Sequence, residues 1–196
     1  MLIAPAVPSD LDTLITFRNE AARWLAARGI DQWSSAWPSE DVMAEGMLRN
    51  IRAGETFILW DEDGTPAATI TVDRWANPDL WGQAERAEPA LYTHKLTVAR
   101  AYAGRGLGAK LLDWAGSRAA RSGGRWLRCL DEQRGVAALL LASGFHARPN
   151  RRADAQSFWC VVPAVSADRP NARSSRSACL AGTVKVVPLI TLSSGG

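Results

Sequence analysis

"LYTHKLTVARAYAGRGLGAKLLDWAG", Leu91–Gly116, joins a β-rich run, a glycine-rich turn and an amphipathic run. Its first eight residues are rich in β-branched and aromatic side chains and predict a strand, Ala90–Val98. From Gly108 to about Arg121 the apolar residues recur at helical spacing. Between the two, Gly104, Gly106 and Gly108 alternate with Arg105 and Leu107. A glycine-rich turn where a strand hands over to a helix leaves backbone N–H groups uncovered at the positive end of the helix dipole, a place suited to an anion such as pyrophosphate. Arg105 adds a charge that can bond the same phosphates. Two familiar nucleotide turns do not fit. Lys110 stands in no GxxxxGK frame, and the spacing is GxGxG where a dinucleotide fingerprint needs GxGxxG. Glycines at alternate positions also serve simply to pack a helix close to a strand, and both uses are open at this point.

Nearer the amino terminus, Ser9 and Asp12 mark a helix start, and Leu11, Leu14, Ile15, Ala22 and Leu25 recur at helical spacing until Gly29, predicting a helix over 10–28. A Trp-rich loop, "DQWSSAWPSED", leads to a second cap at Ser39 and a helix over 40–52. "TFILW" and "AATITV" read as strands joined by "DEDGTP", whose Asp-Gly pair signals a hairpin. Residues 73–89 show no periodicity and read as loop. "RWLRCL" is a further strand, and "GVAALLLASGF" a short helix ending at Gly144. The order of elements predicts an α/β (α+β) fold, a mixed sheet flanked by helices.

The 196 residues, 47% of them hydrophobic, suffice for one sizeable core. The net charge of +3 does not indicate nucleic acid, because residues 1–150 carry 17 basic and 18 acidic side chains and the excess sits in the six basic residues that follow. "MLIAPAVPSD" lacks the form of a signal peptide and no apolar run approaches the roughly 20 residues of a membrane span, so a cytoplasmic protein without membrane attachment is expected. Cys129, Cys160 and Cys179 form no ligand set, and neither a metal nor a structural disulfide is expected.

The run "LTVARAYAGRGLGAKLL" resembles the acetyl-CoA motif of the GNAT family of N-acetyltransferases, written V-x-P-x-x-R/Q-G-x-G-x-G/A-x-x-L-L. Val98, Gly104, Gly106, Gly108, Leu111 and Leu112 match; Arg100 replaces the proline and Ala103 the Arg or Gln. "WLAARGIDQW", "ATITV" and "LYTHKLTV" are similar to a subgroup of small bacterial acetyltransferases, so the resemblance covers about residues 1–128. It implies a sheet whose central strands splay, with acetyl-CoA in the gap as cosubstrate. It places Leu96, Thr97 and Val98 on the pantetheine arm and thioester, and Ala103, Gly104, Arg105, Gly106, Leu107 and Gly108 on the pyrophosphate. The acceptor would be a small-molecule amine, and the protein a monomer or homodimer.

Transfer to an amine needs a base, a polarised carbonyl and a proton for the departing thiolate. Strand alternation puts Tyr92, His94, Leu96 and Val98 on one face. His94 is then the candidate base and Tyr92 its partner in a proton relay; the other reading of His94 is a strand histidine tied to a backbone group. The resemblance makes the Val98 N–H the carbonyl polariser. Trp33, Trp37, Trp75 and Trp81 would line the acceptor side, or simply pack, and Asp31, Glu85 and Glu88 would attract a cationic amine, or face solvent.

The family's thiolate acid is a tyrosine four residues before a Gly-Phe pair; here Leu140 precedes Gly144-Phe145. Composition changes in the same region: no glutamate follows Glu132, and an Arg/Ala/Ser/Pro-rich text begins after 145. Read one base later, the codons for 128–145 are compatible with the missing tyrosine pattern, which points to a frameshifted segment and is checked by translating the coding DNA in the offset frame. The domain is therefore expected over 1–162, with its last strands open and with 129–162 atypical. A tail follows over 163–196, disordered or irregular. Beside the acetyltransferase, the sequence is compatible with a catalytically impaired acyl-CoA-binding module that lacks the thiolate acid.

Overall fold

In the computed structural model, residues 1–29, 39–131, 141, 146–149 and 156–161 are described. They fall into two compact units, one comprising Met1–Asp73 and Thr93–Leu111, the other Arg74–Tyr92 and the described residues from Leu112 onward. The Trp-rich loop with Asp31, Trp33 and Trp37, the helix expected at "GVAALLLASGF" apart from Leu141, Leu140 with Gly144-Phe145, and the tail over 163–196 lie outside the described residues.

The first unit holds β1 (Leu2–Pro5), α1 (Leu11–Ala26), α2 (Glu40–Arg52), β2 (Thr56–Trp60), β3 (Pro66–Asp73), the 93–98 end of β4 (Ala90–Val98), and the start of α4 (Leu107–Arg121). β1, β2 and β3 form an antiparallel run with Leu2 opposite Trp60 and Phe57 opposite Ile70, and β4 lies next to β3. α1 buries Leu14, Phe17, Ala21 and Leu25, one stripe at a spacing of three and four. α2 runs over the residues its sequence predicts, because Ser39 Oγ accepts the Val42 N–H at 3.3 Å. Glu40 and Asp41 at its start and Arg49 and Arg52 at its end suit the helix dipole. Met43, Met47 and Ile51 from α2 pack with Leu14 and Ile58 into one core. The cap before α1 differs from the expected one: Asp10 Oδ2 accepts the Val7 N–H at 2.8 Å, closing a single 3₁₀ turn over Pro8–Asp10.

The second unit holds α3 (Gln83–Arg86), the 90–92 start of β4, the rest of α4, β5 (Trp126–Asp131), β6 (His146–Pro149) and β7 (Gln156–Val161). Its strand order is β4-β5-β7-β6, and β7 is antiparallel to both neighbours. The carboxyl-terminal strands that the sequence left open are therefore present, paired from Trp126 opposite Val161 to Asp131 opposite Gln156. α3 lies within a stretch expected to be loop. It is one turn, held by Glu85 Oε2 accepting the Gly82 N–H at 2.8 Å, too short to leave a period in the sequence. β1 is likewise absent from the elements that the sequence predicts; with Pro5 at its end it has the composition of an edge strand. Along α4, Leu107, Leu111, Ala115 and Ala119 are buried at a strict spacing of four, and Leu112 widens that face. No helix among the described residues is long and apolar enough to cross a membrane.

Candidate functional site

The glycine turn follows β4 through a 3₁₀ turn, Arg100–Tyr102. The Ala99 N–H donates to the Ala67 carbonyl at 2.9 Å, tying the start of this segment to β3. Gly104 and Gly106 adopt φ of 74° and 70°. A Cβ at either would meet nothing within 4 Å, so glycine is needed there for its backbone angle and not for space. The first backbone bond of α4 runs from the Lys110 N–H to the Gly106 carbonyl at 3.1 Å. The N–H groups of Gly106, Leu107, Gly108 and Ala109 are then the four that a helix start leaves without an intrahelical acceptor. Ala103 and the exposed Arg105 flank them, and the Arg105 guanidinium lies 5.0 Å from the centre of the Tyr102 ring. This arrangement supplies directed donors, a dipole end and one exposed cation, the requirements for a polyphosphate.

The second element of the site is on β4. His94, 36% exposed, places Nε2 at 3.3 Å from Oδ1 of Asp73, which is 8% exposed at the end of β3. A carboxylate only accepts, so this bond fixes the proton on Nε2 and leaves Nδ1 as the basic nitrogen. His94 is thus a strand histidine tied to a side chain, not to the backbone. Next to it Lys95 has φ of 53°, a left-handed residue inside a strand. Strict alternation therefore does not pass unbroken from His94 to Leu96 and Val98, as the burial shows: Leu96 is half-buried while Thr97 and Val98 are both buried. Burial holds the Lys95 ammonium below the usual lysine range, opposed by Asp73 and Glu55. Glu55, at the foot of β2, is pushed up first by burial and then by Asp73. Sequence periodicity showed none of Asp73, Glu55 or Lys95, since their grouping depends on strand register.

Tyr92 belongs to the second unit, in a different setting. Its ring meets Trp81 edge-on with centroids 5.5 Å apart, and its hydroxyl accepts from Arg128 Nη1 at 3.1 Å. Arg128, only 4% exposed, also donates to the Glu85 carbonyl at 2.6 Å and pairs with Glu88, and its guanidinium lies within 6 Å of the Trp81, Tyr92 and Trp126 rings. Trp81 and Glu88 are therefore committed to this buried cluster, and the Glu85 side chain to capping α3. Trp75, 61% exposed, is not part of the apolar core. Among the described residues, no three His, Cys, Asp or Glu side chains gather as metal ligands.

Known proteins give this arrangement a family. A family model described as "Acetyltransferase (GNAT) family" matches residues 19–145, which takes the similarity past Arg128. The protein described as "Uncharacterized N-acetyltransferase YesJ" of Bacillus subtilis (strain 168) is 32% identical over 113 residues, 57% of this chain. The match spans 61% of that relative's length. Among solved structures, a GNAT-family acetyltransferase from Listeria monocytogenes superposes with a TM-score of 0.70 at 20% identity, covering 82% of this chain and 94% of the other. The PaiA N-acetyltransferase from Thermoplasma acidophilum, solved in complex with coenzyme A, gives 0.64 at 16% identity over 82% and 98%. At these identities the two structures speak for the fold alone. With the family match over more than half its length, the chain belongs to the GNAT acetyltransferase family.

Proposed function

We propose that the chain is an acetyl-CoA-dependent N-acetyltransferase that moves an acetyl group to a small-molecule amine by direct attack. The observation that carries this reading is the run of open N–H groups from Gly106 to Ala109, set by two left-handed glycines at the head of α4. Gly104, Gly106 and Gly108 with Leu107 and Ala103 would cradle the pyrophosphate through backbone donors, and Arg105 would close on it from solvent. Leu96, Thr97 and Val98 would meet the pantetheine arm. When bound, acetyl-CoA supplies an acyl group activated as a thioester. His94 takes the proton of the acceptor ammonium at Nδ1, and Asp73 holds the imidazole by its Nε2–H and balances the charge that forms. Tyr92, whose oxygen accepts from Arg128 in the second unit, keeps a hydroxyl proton to donate and is the second residue proposed for proton transfer.

A second reading is favoured by Leu140, which stands four residues before Gly144-Phe145 and has no proton to give a thiolate. On that reading the chain binds acyl-CoA without efficient transfer. Thermal stabilisation by acetyl-CoA, followed by product analysis with a panel of small amines, decides between them. Stabilisation with acetylated product supports the enzyme, stabilisation without product supports the binding module, and no stabilisation removes both.

A further inference from the structure

We propose that the hydrogen bond between Tyr102 and Asp61 is the positioning device of the cofactor turn, and that it sets the affinity for coenzyme A. The inference rests on the pyrophosphate reading of that turn. Asp61 opens the β2–β3 hairpin, 41 residues from Tyr102 in sequence. Its Oδ1 accepts the N–H groups of Asp63 at 3.0 Å and Thr65 at 2.8 Å, and its own N–H donates to the Thr65 carbonyl at 2.9 Å. The hairpin turn is thereby closed on itself, a fixed post. Its remaining carboxylate oxygen, Oδ2, accepts the Tyr102 hydroxyl.

Tyr102 stands two residues before Gly104, 9% exposed, and takes part in the bonds that begin the turn. Its N–H donates to Ala99 at 2.9 Å, its carbonyl accepts from Arg105 at 3.4 Å, and Ala103 donates to Arg100 at 3.0 Å. Its ring also carries the Arg105 guanidinium. Two glycines at positive φ give the turn wide backbone freedom, so a turn ready to receive pyrophosphate needs an external anchor. Tyr102 is the side chain that joins the post, the turn and the one charged side chain within it. The same bond is the leading cause of a tyrosine held above its ordinary range and an aspartate held below its own.

The test is a double-mutant cycle in the full chain with Tyr102→Phe and Asp61→Asn, reading the Kd of coenzyme A by calorimetry and amide exchange of the turn without ligand. Each single change is expected to weaken binding roughly threefold to tenfold, part of the worth of one charge-assisted bond. The double variant is expected to match the singles instead of multiplying them. KM for acetyl-CoA follows the same factor while kcat holds, and exchange at Ala103 and Arg105 quickens. Unchanged Kd in both singles, or fully multiplicative losses, overturns the proposal. If the wild type binds no coenzyme A, the pyrophosphate reading fails; exchange still judges the anchor, and unchanged exchange removes it too. Asp61→Asn keeps the ring and both Oδ1 bonds, so it carries the test if Tyr102→Phe does not fold.

Discussion

The conformation of the glycine turn has an energetic signature that can be read with one kind of substitution at two places. Gly106 has φ of 70° and open space where a Cβ would stand. In Gly106→Ala the methyl meets no atom, so the cost is that of a left-handed alanine, about 1–2 kcal/mol. The reduced freedom of the unfolded chain returns about 0.4–1 kcal/mol. The net loss is close to 1 kcal/mol, a fall in Tm of about 2–4 °C for a chain of this length. Gly116 lies ten residues on, inside α4, with nothing within 4 Å of its Cβ position and no positive φ. There the same change relieves a glycine in a helix interior and is expected to stabilise by about 0.5–1 kcal/mol. Thermal melts of the two variants beside the wild type should move in opposite directions. A rise in Tm for Gly106→Ala, or shifts of equal sign and size, would refute the assignment of strain to the turn.

Three further outcomes are expected. His94→Ala should lower kcat by about 10²–10⁴-fold, the range for a lost general base, and Asp73→Asn by part of that, with KM for acetyl-CoA unmoved; unchanged steady-state kinetics in both would remove the pair from the chemistry. Arg128→Met leaves the Tyr92 hydroxyl and the Glu85 carbonyl without their donor and Glu88 without its counter-charge, and because Glu88 is 41% exposed the cost should sit near the low end for a broken pair, about 2–3 kcal/mol by urea unfolding. Arg128→Lys should recover little of it, since one ammonium cannot reach acceptors spread around a planar fork. The Tyr102–Asp61 bond also gives stability a pH dependence. The depressed Asp61 contributes fully above the ordinary carboxylate range and is lost as pH falls through its folded pKa, while the raised Tyr102 contributes below pH 10.0 and is lost as pH rises through its own. The Tm difference between wild type and Tyr102→Phe should therefore be widest at neutral pH and close at both extremes; a difference constant from acid to alkali would contradict the bond.

What the sequence made legible was what local chemistry dictates. α2 begins after Ser39 because a serine oxygen caps it, and β4, the turn and α4 follow from a β-rich run, spaced glycines and a period of four. The hairpin between β2 and β3 was readable from Asp-Gly. What escaped was set by pairing across distance. Asp73 meets His94 through strand register, 21 residues apart, and Asp61 meets Tyr102 across 41. The break in alternation at Lys95 is a single backbone angle with no signature in a run of apolar and polar letters. Arg128 reads as one more basic residue in a strand until Glu88, Tyr92 and Trp81 are seen around it. The compositional change after Glu132 puts the last strands in doubt, yet β7 pairs with β5 over its full length, because ladder bonds use the backbone and tolerate many side chains.

We propose that the head of α4 receives the pyrophosphate of acetyl-CoA, and this can be observed amide by amide. The most direct measurement is a titration of the isotope-labelled chain with coenzyme A, followed by amide NMR. The largest shifts are expected at the N–H groups of Gly106, Leu107, Gly108 and Ala109, reduced in Gly106→Ala. Saturable binding that leaves those four amides unmoved would contradict it.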